Sequence, residues 1–154
     1  MRLTILILFG IFSLVPVCAG EEPDSIPPEN QVILKGQWTP TKEQTERALA
    51  AATALVRQIA AQPTGKTFAE KYKIEGAAKI SKEMRKYFVQ FIGQIRNGKK
   101  VVFCNFFRTD LWKYSFPDWK ESEVMVDDGG YSYWQVDYDP ETGKCGELRI
   151  NGPG

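Results

Sequence analysis

An almost unbroken alternation of polar and apolar residues fills the second half of the chain, residues 85–151. A repeat of two is typical of β-strands, because successive side chains point to opposite faces of a sheet. The first run ends at Asn97-Gly98, the pair that best tolerates the positive φ angles of a type I′ turn. We therefore predict a hairpin over residues 85–108.

The register of this hairpin follows from its two-residue turn. Arg96 then pairs with Lys99, and counting back places Phe91 opposite Cys104, on a face that we expect a helix to cover. Phe91→Ala should cost about 3–5 kcal/mol, whereas Gln90→Ala, on the other face, should cost less than about 1 kcal/mol.

That other face is itself more apolar than a solvated face, because it carries Phe88, Ile92, Phe103 and Phe107. We expect either residues 66–84 or a partner chain, such as the second copy in a homodimer, to cover it.

Further turn signals predict the rest of the sheet. Residues 127–130 (DDGG) would turn a second hairpin over residues 123–139, and residues 139–144 (DPETGK) would lead into a last strand ending near Ile150. With the first hairpin, these runs give five antiparallel strands in meander order. Residues 31–38 (QVILKGQW) would add a short strand before them.

One amphipathic helix is predicted before the sheet. It begins either at Thr39-Pro40 or at a capping box formed by Thr41 and Gln44. It ends at Pro63-Thr64-Gly65. Residues 66–84 would form either a short second helix or an irregular segment. The apolar stripe of the first helix, at spacings of three and four, is Leu49, Ala52, Val56 and Ile59.

The first twenty residues resemble a secretory signal peptide, with Arg2, an apolar run over residues 3–17 and small residues around Cys18. The run is shorter than the roughly 20 residues that a membrane-spanning helix needs. A retained anchor and a lipidated Cys18 are the alternatives. We expect cleavage near Gly20 or Glu21 and an exported protein, periplasmic or secreted, with no membrane attachment.

The mature chain is expected to be a flexible tether, residues 21–30, followed by one domain, residues 31–154. The predicted fold class is α+β, with one long helix packed on a five- to six-stranded antiparallel meander sheet.

The composition of the chain restricts the partners and the catalytic mechanisms that we expect. The sequence has 20 Lys and Arg against 19 Asp and Glu, so removal of the segment that holds Arg2 brings the formal charge to zero. We expect no nucleic-acid partner, because Lys and Arg do not form a continuous basic stripe in the sequence. Histidine is absent, which excludes Ser-His-Asp and Cys-His catalysis and His-ligated zinc. We expect no catalytic residue, metal or cofactor.

The two cysteines of the mature chain are Cys104 and Cys145. An exported chain with an even pair favours a disulfide. The alternation, however, places the two on opposite faces of the sheet, and diverging side chains cannot be bridged. We therefore predict two unpaired thiols.

Acidic residues offer two weaker motifs. Asp137, Asp139 and Glu141 resemble the start of a calcium loop, but the glycine and the closing glutamate of that loop are missing. Asp127, Asp128 and Asp137 could include the paired carboxylates of a glycosidase.

Aromatic residues are concentrated in the linker over residues 109–120. Aromatic rings near charged groups suit carbohydrate or peptide recognition. The other interpretation is that the rings cap the open end of the sheet as a small apolar cluster. The candidate ligand-binding residues are Trp112, Tyr114, Phe116, Trp119 and Tyr133.

A short strand, one long helix and an antiparallel meander resemble the cystatin-like or NTF2-like arrangement, in which a sheet wraps a helix. The segments YWQVDYDPETG (residues 133–143) and LRING (residues 148–152) are similar to the sequences of small exported bacterial proteins of uncharacterised function. The Q-x-V-x-G loop of cystatins is not matched, because residues 90–93 (QFIG) are one residue short and lie in a strand.

From these features we expect a non-enzymatic domain that binds an unknown protein or small molecule through the open face of the sheet or the aromatic linker. The alternative is a small enzyme that uses carboxylates and tyrosines in an NTF2-like pocket.

Overall fold

The structure is a computed structural model that describes residues 25–108, 110 and 116–153. The predicted signal peptide with Cys18, the first residues of the predicted tether, and two candidate site residues, Trp112 and Tyr114, lie outside the described residues.

Two α-helices and six β-strands make up the regular structure of the described chain. The strands form one open sheet in the order β1-β2-β3-β4-β5, and β6 pairs with β4 beside β5. The first pair is parallel and the others are antiparallel. The fold is therefore α+β. A second helix was one of two alternatives predicted for residues 66–84, whereas the parallel pairing of the edge strand β1 was not predicted. In chain order the elements are β1 Gln31–Leu34, α1 Lys42–Ala60, α2 Phe68–Lys82, β2 Tyr87–Arg96, β3 Lys99–Arg108, β4 Tyr133–Asp139, β5 Lys144–Cys145 and β6 Arg149–Ile150.

The first predicted hairpin is confirmed together with its register. β2 and β3 pair along their full length, with Arg96 opposite Lys99. Asn97 and Gly98 between them have φ angles of 52° and 75°, as a type I′ turn requires.

Both helices begin at a capping box, in which the side chain of the cap residue and that of the third helical residue each accept a backbone N–H. Thr41 and Gln44 form the box of α1, which decides between the two predicted starts. Thr67 and Glu70 form the box of α2, so the helical alternative for residues 66–84 is confirmed.

Both helices cover one face of the sheet, which we call the inner face. The predicted stripe of α1 packs there around Val56, against Phe91 and Cys104, and α2 contributes Ile80 to the same core. A Cβ on Gly76 of α2 would lie 2.7 Å from Ile150 Cδ1, so glycine lets this helix approach β6 closely.

The opposite face, the outer face, is covered in part by residues 116–126. Val124, Phe116 and Trp119 of this segment pack on Phe107 and other outer-face side chains. The expectation that residues 66–84 cover this face is wrong, because α2 packs on the inner face.

The predicted second hairpin is also wrong, because β3 pairs directly with β4 and residues 123–126 do not form a strand. The backbone of Val124 bonds to side chains instead. Its N–H donates to Gln90 Oε1 at 2.9 Å, and its carbonyl accepts from Asn105 Nδ2 at 2.7 Å. These two amides take the place of a neighbouring strand.

The part of the predicted tether that is described, residues 25–30, packs against the domain. Ile26 is 2% exposed and belongs to the inner core, and Pro28–Asn30 forms a short 3-10 helix. An isolated apolar residue among prolines gave little sign of this contact.

Cys104 and Cys145 are free thiols, but the reason given for expecting this is wrong, because both face the inner core. Residues 146–148 interrupt the last strand between β5 and β6 and shift its alternation. Cys104 lies opposite Val136 and Cys145 opposite Tyr138, with β4 between them. Two strand spacings separate the backbones by roughly 9–10 Å, and a disulfide needs less than about 7 Å.

Candidate functional site

Three of the five candidate aromatic residues, Phe116, Trp119 and Tyr133, come together on the outer face. Trp119 stacks on Phe88 with ring centroids 4.4 Å apart, and Phe116 meets Tyr133 edge-on at 6.5 Å. Tyr133 is buried, and burial raises the pKa of its hydroxyl. We call these residues, with Phe107, the outer aromatic cluster.

Most of the ring surface in the outer aromatic cluster is used in packing. The depression beside it holds about 190 Å³ and is lined by residues 116–119 and 122–124, which is small for a ligand site. The contacts match the interpretation in which the linker caps the sheet. A ligand-binding role for these aromatic residues stays a prediction.

A buried pair of amides fixes the covering segment to the sheet. Gln90 is 0% exposed and donates to the carbonyls of Trp119 at 2.5 Å and Ser122 at 2.8 Å. Its Oε1 accepts from Asn105 Nδ2 at 3.0 Å and from the Val124 N–H. The expectation that Gln90→Ala costs as little as a surface substitution does not fit this burial, since a polar residue on an alternating strand normally marks the wet face.

The candidate carboxylates lie apart. Asp127 is exposed, whereas Asp137 makes ion pairs with Arg96 and Arg149. Asp139 Oδ1 accepts the N–H groups of the next turn, and these bonds hold the pKa of its carboxyl below the ordinary value. The resemblance to a calcium loop therefore has a turn-forming explanation.

A buried cation joins the end of β3 to the end of α2. Arg108 donates to the carboxylates of Glu83 and Asp110. A hydrogen bond from Lys86, followed by the charge of Arg108, lowers the pKa of Glu83. The hydrogen bond from Arg108 lowers the pKa of Asp110. The network ties two elements together and leaves no free base in it.

The thiols are poor nucleophiles. Burial raises the pKa of Cys145 to about 11 and that of Cys104 well above its ordinary value. Both are protonated near neutral pH, and a reactive cysteine needs the thiolate.

A concavity lies along α1, between this helix and the segment that precedes β1. It holds about 680 Å³ and is bounded on one side by residues 25–31 and on the other by the helix. Leu49, Ala50 and Ala54 form an apolar floor, with Lys42 and Glu46 towards the start of the helix and Arg57 towards its end. We call it the α1 groove. The sequence feature behind this floor is the high alanine content of residues 48–61.

A second groove lies between α2 and β6. It holds about 420 Å³ and has Phe68 at its rim, 78% exposed and stacked on Tyr72 at 6.2 Å. Tyr72 donates to the carbonyl of Asn151 at 2.7 Å, which fixes the helix to the strand.

Among the described residues, neither helix is long and apolar enough to cross a membrane. The chain matches no protein-family model, and comparison with curated proteins and with solved structures also gives no match.

Proposed function

We propose that this protein is a non-enzymatic binding domain whose ligand lies in the α1 groove. The observation that carries the proposal is the groove itself: about 680 Å³, open to solvent, with an apolar floor and charged groups near both ends. Ligand sites typically hold about 300–1,000 Å³ and combine apolar walls with a few polar groups that fix orientation.

The shape of the groove favours an extended peptide segment over a compact small molecule. Lys42 and Arg57 mark its two ends on the same helix, and fifteen residues of α-helix span roughly 22 Å. That length matches about six or seven residues of extended chain at about 3.3 Å each. The small side chains of Ala50 and Ala54 leave room for the ligand's own side chains.

The enzymatic alternative has less support. Its candidate groups would have to converge, but Asp127 is exposed, Tyr133 is buried within the outer aromatic cluster, and Asp137 is engaged by two arginines. None of these three lines the α1 groove.

A random heptapeptide library displayed on phage tests the proposal. Peptides enriched on the wild-type protein should lose binding to Ala54→Trp, which fills the floor of the groove. They should keep binding to Gln58→Trp, because Gln58 is exposed on the same helix and does not line the groove. Circular dichroism should show that both variants are folded.

Failure to enrich any peptide, or equal binding to both variants, would contradict the proposed site. Hydrolysis of enriched peptides by the wild-type protein would favour the enzymatic alternative.

We also infer that the protein is exported after cleavage near Gly20 or Glu21, on the strength of the apolar N-terminal run and the small residues that follow it. N-terminal sequencing of the protein recovered outside the cytoplasm should begin at one of these residues. Recovery of exported protein that begins at Met1 would refute cleavage.

For the fold, we infer a cystatin-like or NTF2-like arrangement. The support is that α1 packs on the inner face of the antiparallel strands β2 to β5. The helix α2 and the parallel pairing of β1 are additions to the pattern that the resemblance implied.

A further inference from the structure

Two arginines share one carboxylate on the outer face of the sheet. Asp137 on β4 is contacted by Arg96 Nε at 3.3 Å and by Arg149 Nη1 and Nη2 at 3.2 and 3.4 Å. The Arg96 and Arg149 contacts meet at the same atom, Oδ2. The two guanidinium groups therefore converge on one oxygen atom.

An aromatic ring orients both cations. The guanidinium carbons of Arg96 and Arg149 lie 5.4 and 5.9 Å from the centroid of the Phe103 ring, within the range of a cation–π contact. Phe103 pairs directly with Asp137 across β3 and β4. Ring and carboxylate together hold the arginines in place, so ligand binding would cost little further side-chain entropy.

Most of the hydrogen-bonding capacity of the pair is unused. Two guanidinium groups carry ten N–H donors. Within the described chain, three contacts go to Asp137 and one goes from Arg96 to Gln94 Oε1 at 2.8 Å. The side chains of Arg96 and Arg149 are 43% and 40% exposed. The cluster of two cations and one anion keeps an excess positive charge that faces solvent.

The chemistry of neighbouring groups adds to this excess. Lys99 pairs with Arg96 and so shares its face. Asp139, the next carboxylate on the same face of β4, accepts the N–H groups of its turn and interacts with the charge of Lys99. The three cations Arg96, Lys99 and Arg149 thus face two carboxylates, Asp137 and Asp139, and the local charge stays positive.

We propose that Arg96 and Arg149 bind a carboxylate of an acidic peptide. A guanidinium group can hold a planar carboxylate in two parallel hydrogen bonds. Arg149 already binds Asp137 in this way through Nη1 and Nη2, so the ligand carboxylate would use the other N–H groups of the two arginines. Phe103 packs with Leu34 and Ile92 in a buried cluster, which holds its ring in position under the arginines. The site is separate from the α1 groove, because neither arginine nor Asp137 lines that groove.

The test is a titration with a tetrapeptide of glutamate that is acetylated and amidated at its ends. Binding is followed by NMR through the Nε–Hε signals of Arg96 and Arg149, at about 0.15 M salt, where long-range electrostatic attraction is screened. Both signals should shift and saturate, and the matched glutamine tetrapeptide should leave them unmoved. Arg149→Gln should weaken binding about tenfold, as expected for the loss of charge-assisted hydrogen bonds.

Two control variants separate recognition from simple attraction. Arg149→Lys keeps the charge and loses the fork, so it should weaken binding nearly as much as Arg149→Gln. Lys71→Gln removes a charge from an exposed site on α2 and should leave the affinity unchanged. Arg96→Gln provides a second arm should Arg149→Gln lower the melting temperature.

Full affinity in Arg149→Lys would overturn the proposal, and so would equal losses of affinity in Lys71→Gln and Arg149→Gln. It is also overturned if neither signal shifts at peptide concentrations up to about 10 mM, because a Kd above that value is too weak for specific binding. Saturation of the same signals by inorganic phosphate but not by the glutamate peptide would overturn the assignment to a carboxylate.

Discussion

Replacing Gln90 by alanine should destabilise the protein far more than its place on an alternating strand suggests. Gln90 makes four hydrogen bonds that join β2 to Trp119, Ser122, Val124 and Asn105. The substitution removes all four. It also leaves a space under the covering segment, because the side chain is fully buried.

The size of the effect depends on which partners can reach water. Ser122 is exposed and Trp119 is half-buried, so their carbonyls regain part of their hydration, and each should cost no more than about 1 kcal/mol. The Val124 N–H is buried, and an unsatisfied buried donor costs about 1–3 kcal/mol. Asn105 keeps its bond to the Val124 carbonyl. Together these losses give about 3 kcal/mol, a large part of the roughly 5–15 kcal/mol that stabilises a domain.

Urea unfolding followed by tryptophan fluorescence measures this difference. Gln94→Ala is the matched control, since Gln94 lies on the same strand and face but its side chain accepts a hydrogen bond from the exposed Arg96. This substitution should lower the free energy of unfolding by less than about 1 kcal/mol. Gln90→Leu restores volume without the hydrogen bonds and should remain close to Gln90→Ala. A loss in Gln90→Ala no larger than in Gln94→Ala would refute the role of the amide. Recovery in Gln90→Leu would show that packing matters more than hydrogen bonding.

Phe91→Ala should lower the free energy of unfolding by about 3–5 kcal/mol in the same assay, because the ring lies in the inner core; a loss below about 1 kcal/mol would place the core elsewhere. Adding a reductant should leave the melting temperature unchanged, because β4 separates Cys104 from Cys145. A bridge between them would be worth on the order of 4 kcal/mol, so a large drop in calorimetry would reveal one. Stability should fall as the pH drops below about 4, because Arg108 holds the pKa of Asp110 below its ordinary value in the folded protein. The stability that this carboxylate contributes is present above its ordinary pKa and is lost as it takes up a proton. Arg108→Met should weaken this acid dependence in melts between about pH 7 and 3, and an unchanged slope would mean that the ion pair contributes nothing.

The parts of the fold that the sequence predicted well depend on neighbouring residues. The turn at Asn97-Gly98 sets the register of ten residue pairs, because a two-residue loop leaves one way to align the strands. The capping box at Thr41 and Gln44 likewise marks where α1 begins. In each case the deciding groups are within a few residues of each other.

The errors concern contacts between distant residues. Gln90 and Ser122 meet across 32 positions, and nothing local to Gln90 distinguishes an amide that faces water from one that binds a covering loop. The interruption at residues 146–148 reverses the face of Cys145, because one added residue moves every later side chain to the other side of a strand. For the same reason the α1 groove could not be predicted, since residues 25–31 form one wall and a helix forms the other.

The parallel pairing of β1 also has a consequence for the time course of folding. The turn between β2 and β3 can close on a timescale of about 1–10 μs. Gln31, in contrast, pairs with Val89 across the whole of both helices, and such long-range contacts form slowly. We therefore expect β1 to be the last strand to join the sheet and the first to leave it. Residues 25–31, which run into β1 and form the wall of the α1 groove, share this late assembly, so a ligand held there would slow amide exchange in β1 before it altered exchange in the β2–β3 hairpin.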